Sequence, residues 1–513
     1  MFKRILIANR GEIALRVLRT AREMGIECVA VYSEVDRCSL HARLADVAIP
    51  LGGSLPAESY LDMDKILAAA ARGRAEAIHP GYGFLAENAE FARRVIERGF
   101  VWIGPPPDAI AKMGDKIVSR RIMKAAGVPF VPGLVDPVAD ARAARAAAET
   151  IGYPVLLKAA AGGGGKGIRV VRAAGELEGA FRTAAGEAVS AFGDGRLYLE
   201  RYLDRPRHVE VQVLFDRHGH GVHLGERECS VQRRHQKLVE ETPSPLVDGK
   251  LRARMGQAAL DAARSVDYVG AGTVEFMCSP GPDGQPHFYF LEMNTRLQVE
   301  HPITEMITGR DLVREQLHVA NGEELGYSQA DVTFRGHAIE VRINAEDPAH
   351  GFVPSTGTIS NLRFPGGPWV RIDSGLYRGL EVGLSYDPLL AKVIAWGPDR
   401  PTAIARMIRA LQELNVGGVR TSAPAGLAVL ADLRFRAGTY DTHILDGFDF
   451  QGHAGAEVQA AAVAATIHRW TQARRRALAG SGGERRGWLE RGRGRVTAWR
   501  ELPADGSGRE ARP

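Results

Sequence analysis

Two acidic residues, Glu275 and Glu292, stand in short strand-like runs, Thr273 to Met277 and Phe288 to Glu292, on either side of a Pro/Gly/Asp turn. A hairpin centred on Asp283-Gly284, a favoured turn dipeptide, places Glu275 directly opposite Glu292. Opposed residues of an antiparallel pair have Cβ atoms roughly 4.5–5.5 Å apart, and like charges there repel. A divalent cation between them removes the repulsion. Asn294, two residues on, adds an oxygen from the same face. Oxygen-only ligands with room for phosphate oxygens suit Mg²⁺. The alternative is a solvated surface hairpin, against which stand the flanking Phe276 and Phe290.

The chain continues Arg296-Leu297-Gln298-Val299-Glu300-His301. Arg296 and Gln298 can grip a small planar oxyanion, the guanidinium in bidentate fashion, and Glu300 supplies a base nearby. If the strand stays regular, period two puts Glu292, Asn294, Arg296, Gln298 and Glu300 on one face. A second basic segment, Gln232 to Lys237, reads either as phosphate contacts or as solvated surface. Lys158 ends a strand-like run and leads into Gly162-Gly163-Gly164-Gly165-Lys166. Backbone N–H groups without side chains can form a concavity for phosphates. The spacing fits neither a Walker loop nor a dinucleotide-binding G-x-G-x-x-G. A flexible hairpin tip is the alternative, and the flanking lysines point to nucleotide.

These groups need rigid elements beneath them. Ile5 to Ala8 predicts a buried strand, Glu12 to Met24 a helix with apolar residues at helical spacing stopped by Gly25, and Cys28 to Tyr32 the next strand. A helix over 62–71, a strand at 77–79, a helix over 88–98 and a strand at 101–104 continue the alternation, the opening of a doubly wound α/β unit. Sequence richer in strands runs from Met113 to about Ala330. A third unit begins with His337 to Arg342. After Gln451 the sequence turns Ala-, Arg- and Gly-rich.

Length and composition set the frame. At 513 residues the chain holds about three domains. Hydrophobic residues are 45% and charged residues 25%, ordinary globular usage. The net charge of +5 misleads: residues 469–513 carry twelve Arg against five Asp/Glu, so residues 1–468 sum to −2. A nucleic-acid reading therefore rests on the tail alone, where Trp470, Trp488 and Trp499 accompany the arginines; a charged, partly ordered extension accounts for it as well. Four unclustered cysteines predict free thiols in a reducing compartment. Neither a signal peptide nor a membrane span is evident. Together these predict a cytoplasmic protein. Cys229, beside the basic run, invites a thiol nucleophile, but no adjacent base is evident and the chemistry above needs none.

Seven ordered motifs resemble biotin carboxylases of the ATP-grasp superfamily over about residues 1–450. They are Asn9 to Ala14, His79 to Leu85, Met113 to Lys116, Gly162 to Gly165, Arg233 to Lys237, Glu292 to His301 and Arg342 to Asp347. The resemblance implies an N-terminal doubly wound α/β domain (1–112), an ATP-grasp domain (113–330) with a mobile lid at about 131–203, a C-terminal α+β domain (331–450) and a basic tail (451–513). It implies a ligase: ATP activates bicarbonate as carboxyphosphate, and CO₂ passes to N1′ of biotin. Lys116, Lys158, His208 and Gly163, Gly164 and Gly165 would hold ATP phosphates or ribose. Glu200, Leu203 and His235 would line the adenine pocket, with backbone of Arg201 and Leu203 on the base edge. Glu275, Glu292 and Asn294 would hold Mg²⁺ or Mn²⁺, two ions in all. Lys237, Arg296, Gln298, Val299 and Glu300 would form the bicarbonate site, Glu300 as general base. Arg342 would stabilise the biotin enolate, and Tyr82 would pack biotin.

Two residues depart from the family pattern: Ala161, where some members have Gly, and Arg201, where Lys is common. A contact through backbone tolerates the second. The Ala-Met-Lys-Met context of a biotinylated lysine is absent; the only Met-Lys pair, Met123-Lys124, sits in a helical setting. The expected biotin therefore rides on a separate carboxyl carrier protein and serves a separate carboxyltransferase. This would be the first half-reaction of acetyl-CoA or another acyl-CoA carboxylase in fatty acid synthesis. The family's usual homodimer would place Arg19 and Glu23 at its contact. Another ATP-grasp ligase, joining a carboxylate to an amine, is the competing class; the His79–Leu85 and Arg342–Asp347 motifs argue against it.

Overall fold

The computed structural model describes residues 1–134, 136–159, 167–281, 284–450, 464 and 466–472. The Gly163–Gly165 loop, Lys166, Asp283 and almost all of the tail lie outside the described residues. The first sheet is built from β1 (Arg4–Ile7), α1 (Gly11–Glu23), β2 (Glu27–Tyr32), β3 (Val47–Pro50), α2 (Met63–Arg72), β4 (Ala77–His79), α3 (Ala89–Glu97) and β5 (Val101–Trp102). Its strands run parallel in the order β3-β2-β1-β4-β5, a doubly wound topology. The predicted elements recur within one or two residues, except that the expected strand over 101–104 ends at Trp102. β3 carries no clear alternation and has no counterpart in the sequence reading.

The next segment holds α4 (Lys116–Ala125), α5 (Ala141–Ile151), β6 (Val155–Ala159), β7 (Ile168–Val171), α6 (Leu177–Phe192) and β8 (Leu197–Arg201). β6, β7 and β8 form a small antiparallel sheet with its own core, Val155, Leu157, Val171, Leu197 and Leu199 against Ala144, Ala148 and Ala184. Strand alternation explains β6: Val155, Leu157 and Ala159 are buried, so Leu156 and Lys158 must point the other way.

A larger antiparallel sheet contains β9 (Arg207–Phe215), β10 (Gly221–Arg233), β11 (Gln236–Thr242), β12 (Gly270–Pro280), β13 (Pro286–Asn294), β14 (His337–Asn344), β15 (Val370–Ser374) and β16 (Leu389–Gly397). Their order is β13-β12-β9-β10-β11-β14-β16-β15. β11 pairs with β14, Val239 with Val341 and Glu240 with Glu340, so strands from before and after residue 330 share one sheet. Helix α7 (Gly249–Arg264) covers the Val209, Val211, Val274 and Phe276 face. Helix α8 (His301–Thr308) lies near β14 with Ile303 and Ile307 against Ala338 and Ile394. Helix α9 (Arg400–Glu413) packs on the Ile339, Val341 and Val393 face. No helix among the described residues is long and apolar enough to cross a membrane. All four cysteines are free thiols here.

Candidate active site

The site grows from one face of the large sheet. In β9, Val209, Val211 and Val213 enter the core, which turns His208, Glu210 and Gln212 to the opposite face. Register then sets a row across four strands: Glu292 opposite Glu275, Glu275 opposite Glu210, and Glu210 opposite Arg227. Three carboxylates side by side require cations. Arg227 Nε donates to Glu210 at 2.5 Å. Lys237 Nζ, from β11, reaches Glu210 at 2.6 Å, Glu275 at 3.1 Å and Glu300 at 2.6 Å. Glu275 also receives His208 Nε2 at 2.9 Å, Asn294 Nδ2 at 2.8 Å and Gln298 Nε2 at 3.2 Å.

The row divides electrostatically. Burial opposes ionisation of Glu275, but Lys237 and His208 hold its carboxyl well below the usual range. Glu292, at the edge of the row, is pushed up by burial and then by Glu275, with Lys116 as its nearest compensation. Among the described residues no hydrogen bond reaches the Glu292 side chain, so its charge is answered only through space, first by Lys116 and then by His208 and Lys237. His208 and Glu210 with Glu275, and Glu210 and Cys229 with Glu300, are also close enough to share an ion. The Lys237 ammonium stands among Glu210, Glu275 and Glu300, which assigns the cation position there to lysine.

The register corrects one step of the sequence reading. Nearest the turn, Pro280 pairs with Pro286 and Cys278 with Phe288, one residue out of step with a turn centred on Asp283-Gly284. A bulge between Glu275 and Phe276 shifts the frame and brings Glu275 opposite Glu292 after all. The strand also ends earlier than expected. β13 stops at Asn294, and residues 295–300 turn into α8, with Glu300 at its N-cap. The five-residue face is therefore not a regular strand. Ion pairs rather than pleating bring Glu300 back: besides Lys237, Arg342 Nη2 reaches it at 2.9 Å.

The predicted residues line one cavity of about 1010 Å³, together with Arg120 and Met277. Its lining includes Lys116, Lys158, Glu200, Arg201, Leu203, His208 and His235 as well as Glu275, Glu292, Asn294, Lys237, Arg296, Gln298, Val299, Arg342 and Tyr82. Glu300 is fully buried behind Lys237 and Arg342 rather than on the wall. Burial disfavours its charge, yet the two cations hold its carboxyl far below the usual range. Arg342 is itself held charged by Glu240, at 2.6 Å, and Glu300.

Lys158 Nζ pairs with Glu200 at 2.5 Å, and Arg120 joins the same carboxylate. The Arg201 amide already donates to the Pro132 carbonyl at 2.7 Å, so that N–H is engaged within the protein. His235 sits at the tip of the β10–β11 hairpin, where Arg234 and His235 both adopt positive φ, 49° and 67°. Non-glycine residues in both central turn positions carry strain, a mark of functional loops. Arg296 Nε pairs with Glu87 at 2.8 Å while its Nη atoms reach Gln298 and Asn294 at 3.1 and 3.3 Å. The Tyr82 hydroxyl donates to Glu12. Cys229 Sγ lies 3.9 Å from Glu300, so a carboxylate does adjoin it, contrary to expectation. Burial and then Glu210 push its thiol far up, which rules out a ready thiolate.

Sequence reasoning missed Glu87, Arg120, Glu210, Arg227 and Glu240. The alternation His208-Val209-Glu210-Val211-Gln212 was a usable signal for Glu210. Nothing local marks Glu87, which acts across more than two hundred residues of sequence.

Family models match the biotin carboxylase N-terminal domain over residues 1–110, the carbamoyl-phosphate synthase L chain ATP-binding domain over 115–328 and the biotin carboxylase C-terminal domain over 340–447. The chain is 53% identical over 448 residues to a subunit of pyruvate carboxylase from Methanothermobacter thermautotrophicus, covering 87% of this chain and 90% of the relative. It is 50% identical over 452 residues to biotin carboxylase 1 of Bacillus subtilis, covering 88% and 100%. Among solved structures, the biotin carboxylase domain dimer of Hydrogenobacter thermophilus 2-oxoglutarate carboxylase, in complex with MgADP, ADP and bicarbonate, superposes with a TM-score of 0.82. It shares 48% identity over 87% of this chain and 97% of that one. With three consecutive family domains matched and half the residues identical over nearly the whole length of these relatives, this chain belongs to the biotin carboxylase family, enzymes that carboxylate biotin at the expense of ATP.

Proposed function

We propose that the protein carboxylates biotin carried on a separate carboxyl carrier protein, using ATP and bicarbonate through carboxyphosphate, as the first half-reaction of an acyl-CoA carboxylase such as acetyl-CoA carboxylase. The observation that carries this is Lys237, whose one ammonium joins Glu275 in the carboxylate row to Glu300. On this reading that contact would set the phosphoryl end of the reaction beside the bicarbonate end.

Lys116, Lys158 and His208 would take the ATP phosphates or ribose, with the loop at Gly163–Gly165. Glu200, Leu203, His235 and the backbone of Arg201 would take the adenine. Glu275, Glu292 and Asn294 fit Mg²⁺ or Mn²⁺, because they offer oxygen ligands and because burial and Glu275 leave the Glu292 charge only partly answered. A bound ion there would neutralise charge developing on phosphate oxygens, and two ions are proposed in all. Lys237, Arg296, Gln298 and Val299 would hold bicarbonate for attack of its oxygen on the γ-phosphorus, with ADP leaving. Glu300 is anionic but, clasped by two cations, a weak base; turning Lys237 toward the substrate anion restores its basicity. Carboxyphosphate then breaks into CO₂ and phosphate, the phosphate would take the N1′ proton of biotin, and N1′ would attack the CO₂, with Arg342 as counter-ion to the developing enolate and Tyr82 packing the ring. The segment from about 131 to 203, with its separate core, would close as a lid and keep water from the labile intermediate.

The carrier protein, a carboxyltransferase and a second copy of the chain are the proposed partners, in the cytoplasm. Arg19 and Glu23 are exposed on α1, as a dimer contact would need. Two of the relatives above are named for pyruvate and 2-oxoglutarate, so the final acceptor follows from the transferase rather than from this chain. The decisive experiment is bicarbonate-dependent ATP hydrolysis with and without free biotin. Stimulation by biotin is expected; intact nucleotide binding without stimulation would overturn the assignment.

A further inference from the structure

Lys392 has no part in the scheme above, yet its side chain is wholly shielded from solvent. On β16 it stands between Arg342 of β14 and Asp373 of β15. A buried ammonium is costly unless its three donors are used. Lys392 Nζ donates to the Val299 carbonyl at 2.8 Å and reaches Glu12 Oε1 at 3.2 Å. Asp373 Oδ2 is more distant, at 3.9 Å, and is already paired with Arg371 at 2.7 Å. Arg371 is thus the closer partner of Asp373, and Lys392 acts on it only through space. Its close partners come from two separate segments. Val299 lies in the turn between Gln298 and Glu300. Glu12 lies on α1, and the same Oε1 accepts the Tyr82 hydroxyl. The Tyr82 ring centroid is 5.9 Å from Nζ. Glu12 Oε2 has no hydrogen-bond partner among the described residues, so Oε1 carries its connections.

We propose that Lys392 is a positioning residue that ties the bicarbonate turn to the biotin-side aromatic, through the Val299 carbonyl on one side and the Glu12–Tyr82 pair on the other. The proposal rests on the site assignments above. It supplies what they lack, a physical link between the place where carboxyphosphate forms and the place where its CO₂ is used. Misplacement by about 1 Å between reacting partners can cost on the order of 10²-fold in transfer, while hydrolysis of the intermediate continues. Loosening this link should therefore uncouple ATP cleavage from carboxybiotin formation.

The test is the ratio of carboxybiotin formed to ATP hydrolysed, with KM values for ATP, bicarbonate and biotin, in the full-length protein. Lys392→Met keeps length and removes charge. It should lower the ratio about tenfold and raise KM for bicarbonate and biotin, with KM for ATP within about twofold of the parent. A lower melting temperature with an unchanged ratio would mean that Lys392 only fills a buried site, and would overturn the proposal. Should Lys392→Met fail to fold, Glu12→Leu removes the acceptor, leaves the Asp373–Arg371 pair intact and must lower the same ratio; an unchanged ratio there also overturns it. In the double variant of Lys392→Met with Tyr82→Phe, the biotin KM effects should be less than additive if both act along one path. Parent protein that makes no carboxybiotin would instead overturn the functional assignment, and this proposal with it.

Discussion

Glu240 and Glu241 are neighbours on β11, both almost wholly buried, and they face opposite sides of the large sheet. Glu241 points toward the α9 side. It accepts His337 Nε2 at 2.6 Å, Arg400 Nε and Nη2 at 2.7 and 2.9 Å, and the Tyr440 hydroxyl at 2.5 Å. Burial works against its charge, but these partners hold the carboxyl down to about 2. Glu240 points toward the active site. Arg342 Nε bonds one of its oxygens at 2.6 Å, and the other has no hydrogen-bond partner among the described residues. Burial, only partly offset by Arg342, pushes Glu240 up to about 7. Opposite it stands Glu340, whose two buried oxygens have no hydrogen-bond partner among the described residues. Glu241 has its charge answered within the protein, whereas Glu240 and Glu340 have theirs answered only in part. A carboxylate whose charge is only partly answered can be completed by a further cation, which a fully paired one has no need of.

The contrast can be broken at several points. Glu300→Gln should reduce biotin carboxylation by about 10²–10⁴-fold, as loss of a general base does. Because Lys237 and Arg342 hold Glu300 ionised far below its usual range, the substitution should also lower the melting temperature at neutral pH. Full activity in the variant would remove Glu300 from the chemistry. Glu241→Gln should cost stability without costing activity. It leaves Arg400 and His337 uncompensated, and a broken buried pair costs about 3–5 kcal/mol in denaturant unfolding. Turnover per folded molecule should stay near that of the parent.

The pH dependence separates the two residues in sign. Glu241 has a folded pKa below its ordinary value, so its stabilisation is complete above about pH 4.5 and disappears as pH falls toward 2. Glu240 has a folded pKa raised to about 7, so its contribution is complete below about pH 4.5 and disappears as pH rises through 7. Melting temperatures of Glu241→Gln and Glu240→Gln, each measured against the parent in a pH series from about 2 to about 8, should thus change in opposite directions, the first below about pH 4.5 and the second above it. The smallest effect is expected at Glu340, which burial pushes far up. Glu340→Gln should stabilise by about 1 kcal/mol at about pH 8 and by less at about pH 5, since the amide needs no proton to stay neutral. Destabilisation at the higher pH would mean that Glu340 is a needed anion.

Much of the site could be seen along the chain. The Glu275–Glu292 pairing was legible because strand alternation and a turn signal lie within twenty residues, although the turn lies one residue out of the expected frame and a bulge restores the pair. The anion-binding string Arg296 to Glu300 was legible by residue type, but not its shape. Helix α8 begins at His301, so the segment must bend, and charge pairing rather than pleat returns Glu300 to Arg342. The cysteine reading erred in its premise for the same reason, since Glu300 comes next to Cys229 only through the fold.

By itself the sequence determined the alternation of strands and helices in the N-terminal unit, the order of the motifs, and an oxygen-rich carboxylate pair beside an arginine and a base. Those are properties of residue type and short spacing, which periodicity and side-chain chemistry express directly. Only the tertiary structure decided the row from Glu292 to Arg227, the place of Lys237 at its centre, the holding of Arg296 by Glu87 and the link from Lys392 to Glu12 and Val299. Each joins strands or loops far apart in the chain. Their register depends on hydrogen bonding and core burial across the whole sheet, and that cooperative choice leaves no trace in any local window of residues.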